Sequence, residues 1–277
     1  MTRVHVDDLN DPRLGPFRNV RDRDARREGT FVAEGVVVLD AVIAGGRHPL
    51  ESVLVSDRRT AGAAEVLDRV PADVPQYVVP HDLMVELVGF DIHRGLLAVG
   101  RRTPSPSLET LLMEVGPAAT VLVLEDLTDV DNVGACFRNA ACFGAAAVVL
   151  TARCGDPLYR KAIRVSAGHA VRLPFYRGGR ASDLLSVLDS NGVHSVALCL
   201  DEDAGRLRDF RRPTGRLAIW LGTEGKGLTV AARAGAGSRV RIEMAPGVDS
   251  LNVAVAGALA LYHLCGGPPA GPGGGDR

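Results

Sequence analysis

Residues 242–264, IEMAPGVDSLNVAVAGALALYHL, join the end of an apolar strand at 240–244 to an apolar helix that reaches Leu264. The turn Ala245-Pro246-Gly247 breaks the strand. Ser250 is the expected N-cap, because a serine oxygen takes up an amide left open in a helix's first turn. Ala254, Ala256, Gly257, Ala258 and Ala260 give that helix little side-chain bulk, so a partner helix, a loop or a ligand can come close to it. Alone, the stretch equally describes the buried last helix of an α/β domain.

Two further glycine-marked turns precede it, each after an apolar strand. One is Asn132-Val133-Gly134, followed by Arg138 and Asn139; the other is Gly222-Thr223-Glu224-Gly225-Lys226-Gly227. Polar groups at the carboxyl ends of strands are where open α/β sheets hold ligands. The strands around these turns are expected at 120–124, 147–150, 171–175, 195–200 and 217–221. Helices are expected between them at 132–143, 157–168, 182–188 and 228–234. Such alternation predicts a largely parallel sheet with right-handed crossovers, an α/β/α domain.

Upstream, strands at 31–34, 50–55, 76–79 and 95–99 alternate with helices at 35–43, 61–70 and 80–89, a second and smaller α/β/α unit. Residues 11–29 carry six arginines and read as an exposed cationic helix. Arg101 to Ser107 has the composition of a linker, and Gly116-Pro117 punctuates again. We therefore expect an N-terminal domain at 1–103, a linker at 104–118, a second domain at 119–266 and a disordered glycine–proline tail at 267–277.

The net charge of −1 over 277 residues implies no general attraction to polyanions. Lys161 and Lys226 are the only lysines among 32 basic residues. Arginine suits phosphates and planar bases, although codon bias in a GC-rich genome explains the excess equally well. Cys136, Cys142, Cys154, Cys199 and Cys265 show no C-x-x-C spacing and read as apolar fillers in a reducing cytoplasm. No leader, no membrane span and no metal site is expected. G-x-G-x-x-G after a strand, a Walker A loop, H-E-x-x-H and a G-x-S-x-G elbow are all missing from the sequence.

The three turns, NVGACFRNA (132–140), LGTEGKGL (221–228) and IEMAPGVDSLNVAVA (242–256), in this order closely resemble the signature motifs of the SPOUT superfamily, in its SpoU branch of RNA 2′-O-ribose methyltransferases. CGDPLYRKA (154–162) is also similar to that branch, while Ala254 stands where many relatives carry serine. The segment FDIHRG (90–95) resembles the end of a ribosomal-protein-like RNA-binding domain. The resemblance implies a deep trefoil knot, a homodimer and S-adenosylmethionine as cofactor. It implies a cofactor pocket of Leu200, Leu221, Gly222, Thr223, Gly225, Ile242, Met244 and Leu251. Arg138 matches the arginine assigned to catalysis, for which phosphate orientation suits a guanidinium better than proton abstraction. Asn132 and Asn252 match bracing residues, Glu224 an anchor for Arg138 or a cap for its loop, and Ser250 a cap or a substrate contact. An RNA (rRNA or tRNA) surface is expected over Arg18, Arg21 and Arg94 of the first domain and a strip of Arg153, Arg160, Lys161, Arg164 and Arg172 on the catalytic domain. The rivals are a non-catalytic RNA-binding protein of the same fold and a small-molecule methyltransferase.

Overall fold

The computed structural model describes residues 3–265 apart from 90, 91, 93, 246, 248 and 249. In chain order it forms β1 (Val4–His5), α1 (Asp22–Arg27), β2 (Thr30–Glu34), α2 (Val36–Gly45), β3 (Leu50–Ser56), α3 (Ala64–Asp68), β4 (Gln76–Val79), α4 (His81–Val88) and β5 (Leu96–Arg101). There follow α5 (Leu108–Glu114), β6 (Thr120–Leu124), α6 (Val130–Cys142), β7 (Ala147–Leu150), α7 (Arg160–Val165), α8 (His169–Arg172) and β8 (Phe175–Arg177). The chain ends with α9 (Ala181–Ser190), β9 (Val193–Leu198), β10 (Gly205–Arg206), β11 (Arg216–Leu221), α10 (Val230–Gly235), β12 (Ser238–Arg241) and α11 (Val253–Cys265). It divides into two units, Met1–Pro104 with Pro157–Arg172, and Ser105–Asp156 with Leu173–Arg277. No helix among the described residues is long and apolar enough to cross a membrane. The expected tail at 267–277 lies outside the described residues.

The first unit is built on a five-stranded sheet, ordered β1-β4-β3-β5-β2, in which β5 runs antiparallel to both neighbours. Leu14 and Phe17, with Met84, Leu87 and Val88 of α4, close one core against Val32, Leu54, Leu97 and Val99. The cationic segment at 11–29 is therefore not one exposed helix. Leu14 and Phe17 pull a short 3-10 turn inward, and only α1 is without buried residues.

Pro157–Arg172 clusters with this unit, where a helix of the second domain was expected. Two features draw it there. Gly168 adopts φ +84°, and a Cβ on it would meet the Ala41 Cβ of α2 at 2.4 Å, so the glycine admits close packing. Arg160 donates from Nη1 to Glu34 Oε2 at 3.0 Å, with Glu34 only 3% exposed and Arg160 26%. The Arg160 amide also donates to Asp22 Oδ1, and Arg102 reaches the Leu158 carbonyl. The strand expected at 171–175 is instead the end of α8, because Ala170 and Val171 are buried on a helical turn, and β8 starts later. Losing one partner of a buried ion pair costs ~3–5 kcal/mol. Arg160→Ala is expected near the lower end of that range by urea unfolding, with Glu34→Gln in the same chain recovering part of the loss. An additive double mutant would show the pair contributes nothing.

His48 packs edge-on against Phe31 and accepts the Thr103 amide on Nδ1. Burial, with smaller contributions from Arg47 and Arg102, pulls its pKa down to about 4. The folded state thus binds this proton less readily than the unfolded chain, whose histidine titrates near ~6.5. The neutral ring's contribution is full above that value and is lost as pH falls toward 4. His48→Gln should flatten the fall of melting temperature across that window; an unchanged slope would exclude His48 as its source.

The second unit begins earlier than expected. Residues 104–118 are not a linker, since they hold α5. Ser107 caps it by accepting the Thr110 amide at 3.1 Å, and Leu108, Leu111 and Leu112 recur at helical spacing. These leucines are buried with Val121, Val123 and Trp220. The sheet is seven-stranded, ordered β10-β12-β9-β11-β6-β7-β8, and every pairing is parallel. β6 and β7 are buried throughout, as strands covered on both faces must be. Parallel order places the carboxyl ends of β12, β9, β11 and β6 side by side.

Candidate active site

Those strand ends carry the three glycine-marked segments. After β11 the chain makes a tight turn in which the Gly227 amide donates to the Thr223 carbonyl at 2.9 Å. Gly225 and Gly227 both take positive φ, +85° and +64°. Gly222 is needed for another reason. A Cβ there would lie 2.2 Å from the backbone of Gly227 and Leu228, so the loop closes on itself across this residue. The same strand end is tied to its neighbour by Glu125. Its buried carboxylate accepts the Thr229 amide and hydroxyl at 2.9 and 2.7 Å and so holds the start of α10.

A cavity of about 290 Å³ opens at the ends of β9, β11 and β12. All eight residues expected to hold a cofactor line it: Leu200, Leu221, Gly222, Thr223, Gly225, Ile242, Met244 and Leu251. Glu224 and Ser250 line it as well. Sequence reasoning missed Cys199, Asp201, Lys226 and Arg233, which also face the cavity. Asp201 directly follows the strand expected at 195–200, and that place at a strand end was the signal that could have found it. Asp201 is pinned between Arg233 and Arg239. Burial raises the Cys199 thiol above its ordinary pKa, so it contributes a neutral wall.

Beside the cavity, three residues far apart in sequence share hydrogen bonds. Glu224 Oε1 accepts from Asn132 Nδ2 at 2.9 Å and from Asn252 Nδ2 at 2.8 Å. Asn252 Nδ2 also donates to Asn132 Oδ1 at 2.9 Å. Glu224 therefore anchors the two asparagines, and among the described residues it holds neither of its expected partners, Arg138 or the amides of its loop. Asn132 is buried inside α6, whose N-cap is Asp129, so it does not cap. Ser250 is not the cap of α11 either. Asn252 Oδ1 accepts the Ala254 and Val255 amides at 2.9 and 3.3 Å, and asparagine caps as well as serine does. Asn139 Nδ2 donates to the Ala254 carbonyl at 2.7 Å and so ties α6 to α11.

Arg138 is exposed on α6 and makes no hydrogen bond or ion pair with any described residue. It does not line the cavity. Six residues separate it from the buried Asn132, roughly one and two-thirds turns, so the two leave the helix on different sides. Of the expected RNA contacts, Arg18, Arg21, Arg94, Arg160, Lys161, Arg164 and Arg172 belong to the first unit and Arg153 to the second. The strip assigned to the catalytic domain is thus divided. Arg160 spends its charge on Glu34, and Arg153 faces Asp126 at 3.4 Å.

The model of the SpoU rRNA Methylase family matches residues 119–262. The chain is 40% identical over 265 residues to an uncharacterized tRNA/rRNA methyltransferase of Mycobacterium tuberculosis, covering 93% of this chain and 90% of that one. It is 32% identical over 187 residues to a 23S rRNA (guanosine-2′-O-)-methyltransferase of Acinetobacter baylyi, covering 66% of this chain and 75% of that one. The structure of the SpoU methyltransferase AviRb from Streptomyces viridochromogenes, in complex with the cofactor AdoMet, shares the fold with a TM-score of 0.78. It is 22% identical, and the match covers 92% of this chain and 97% of that chain.

Proposed function

The chain belongs to the SpoU rRNA Methylase family, and we propose that it transfers a methyl group from S-adenosylmethionine to a ribose 2′-hydroxyl of structured RNA, rRNA or tRNA. The observation that carries this reading is the cavity at three adjacent strand ends with the Asn132–Glu224–Asn252 cluster beside it. The cavity suits the cofactor. Leu198, Leu221, Ile242 and Leu251 supply apolar walls, and the 222–227 loop supplies backbone groups. When bound, S-adenosylmethionine supplies an activated methyl group on a sulfonium.

The chain's own residues then have three tasks. The two asparagines hold Glu224 in one orientation, so the loop that lines the cavity is set before a ligand arrives. Arg138, with no partner among the described residues, pairs with an RNA phosphate and steadies charge beside the reacting hydroxyl. A guanidinium keeps its proton too firmly to serve easily as a base. Ser250 offers a hydroxyl at the rim. The first unit binds RNA through Arg18, Arg21, Arg94, Lys161, Arg164 and Arg172; the second carries out transfer and has the knotted topology of the family. Incubation of the protein with unmodified rRNA and tRNA and methyl-labelled cofactor tests this. The label is expected at a backbone position that becomes resistant to alkaline cleavage. Label confined to bases would exclude the ribose reading.

The protein is further proposed to act as a cytoplasmic homodimer. One side of α11 packs against α6, while Val255, Leu259 and Tyr262 on the other remain 49%, 44% and 65% exposed. Such an apolar strip marks an interface. Sedimentation is expected to give a dimer at micromolar concentration and a monomer for Leu259→Glu; a monomeric parent protein would exclude the interface.

A further inference from the structure

Residues 221–228 line the candidate cofactor cavity without a break. A wall made of one continuous loop is only as fixed as the points that hold it. The two asparagines hold its tip through Glu224. Within the loop, Thr223 and Gly227 form a single antiparallel bridge. The base of the loop has a separate support, and it comes from one residue of the neighbouring strand.

Glu125 directly follows β6 and is 3% exposed. Its amide donates to the Leu221 carbonyl at 2.8 Å, where the loop leaves β11. Its carboxylate accepts the Thr229 amide and hydroxyl, where the loop enters α10. One residue thus grips both ends of the wall. Among the described residues the carboxylate bonds to nothing else, and no cation shares it. Each bond therefore joins a charge to a neutral donor, a stronger form than a neutral pair.

Thr229 passes this hold onward. Its hydroxyl donates to Glu125 and accepts the Ala232 amide at 3.2 Å, which caps α10. Its carbonyl accepts the Arg233 amide. Arg233 pairs with Asp201, and both face the cavity. A second part of the wall is therefore set from the same carboxylate. Glu125 does not line the cavity itself, so it acts through residues that do.

Burial alone does not explain an acid at this position. An apolar side chain would fill the space, yet it would leave the Thr229 amide and hydroxyl without acceptors, and buried polar groups tolerate that poorly. We infer that Glu125 is a positioning residue for cofactor binding, fixing the 221–228 wall through Leu221 and Thr229. The inference rests on the methyltransferase reading above.

Calorimetry with S-adenosylmethionine, and hydrogen exchange in its absence, test this on the full chain. Glu125→Ala is expected to lower cofactor affinity by about tenfold to a hundredfold, the scale for removing the acceptor from charge-assisted bonds. Single-turnover transfer at saturating cofactor should stay within about threefold of the parent, since the loss is one of binding. Without cofactor, amides of 221–229 should exchange about tenfold faster or more, while those of β7 are unchanged. Thr229→Val should lose part of the affinity, and Thr229→Ser should keep it, because serine retains the hydroxyl. Ser107→Ala removes the α5 cap and so lowers stability away from the cavity; it should bind cofactor as the parent does. If Glu125→Ala does not fold, the Thr229 pair decides.

Parent-like affinity in Glu125→Ala or Thr229→Val overturns the assignment. So does unchanged exchange at 221–229, or an equal loss in Thr229→Val, Thr229→Ser and Ser107→Ala, which would mark a general effect of stability. A parent protein that binds no S-adenosylmethionine removes the methyltransferase reading and the role of Glu125 with it. A parent that binds, with variants that bind equally well, removes Glu125 alone.

Discussion

Arg138→Ala is expected to leave S-adenosylmethionine affinity nearly intact and to lower single-turnover methyl transfer roughly 10²-fold or more, the scale for losing a positioned charge-stabilising or proton-transfer group. The two halves of that result have separate structural grounds. Arg138 is absent from the lining of the cavity, and it leaves α6 on a different side from Asn132, which belongs to the Glu224 cluster. Its removal therefore disturbs neither the walls nor the brace. An exposed arginine with no partner among the described residues is open to a substrate phosphate. Arg138→Lys should be almost as impaired, because the charge remains while the planar fork that grips a phosphate is lost. Cofactor affinity by calorimetry and transfer by rapid quench, on the same preparations, separate the effects. Near-normal transfer by Arg138→Ala would remove this residue from catalysis.

Gly222→Ala should have the opposite signature, a loss of cofactor affinity of about tenfold to hundredfold or more. Even one methyl group would lie 2.2 Å from the Gly227 and Leu228 backbone, and backbone atoms cannot turn aside as a side-chain tip can. An overpacked group costs ~1–3 kcal/mol, and more where its neighbours are fixed. That strain falls on the loop lining the cavity, so binding suffers by deformation of the wall rather than by a plug. Gly225→Ala is the comparison. It meets nothing within 4 Å but sits at φ +85°, and the left-handed conformation costs an ordinary residue ~1–2 kcal/mol. A milder loss is expected there. If Gly222→Ala binds the cofactor like the parent protein, either the loop yields freely or the cavity does not hold the cofactor.

Local rules read correctly from residues 120–124 and 217–221, where uninterrupted apolar runs require burial on both faces and hence a parallel sheet. They also read the three glycine turns, since glycine and polar residues after a strand have few other uses. The lining of the cavity was expected from the resemblance of the motifs, and Gly222 and Ile242 follow directly on β11 and β12, where sequence position decides which end of a parallel strand they occupy. The tertiary structure decided what depends on distant partners. Ser250 looked like a helix cap, and Asn252 took that place, because a cap is chosen by where the chain turns. Glu224 has Asn132 and Asn252 as partners across 92 and 28 residues of sequence, and no spacing encodes such a meeting. Residues 104–118 have a linker's prolines, yet three leucines at helical spacing found a core to enter. Residues 157–172 follow the second unit's strands in sequence but pack with the first, because Glu34, Asp22 and α2 offer an ion pair, a hydrogen bond and a close fit at Gly168. By itself the sequence determined most of the strand-and-turn order and which glycine and polar residues follow the strands, for these follow from contacts between near neighbours. Which helix each segment packs against, and which side chain each carboxylate holds, was left to the folded chain, because burial energy depends on surfaces that exist only once the sheets have formed.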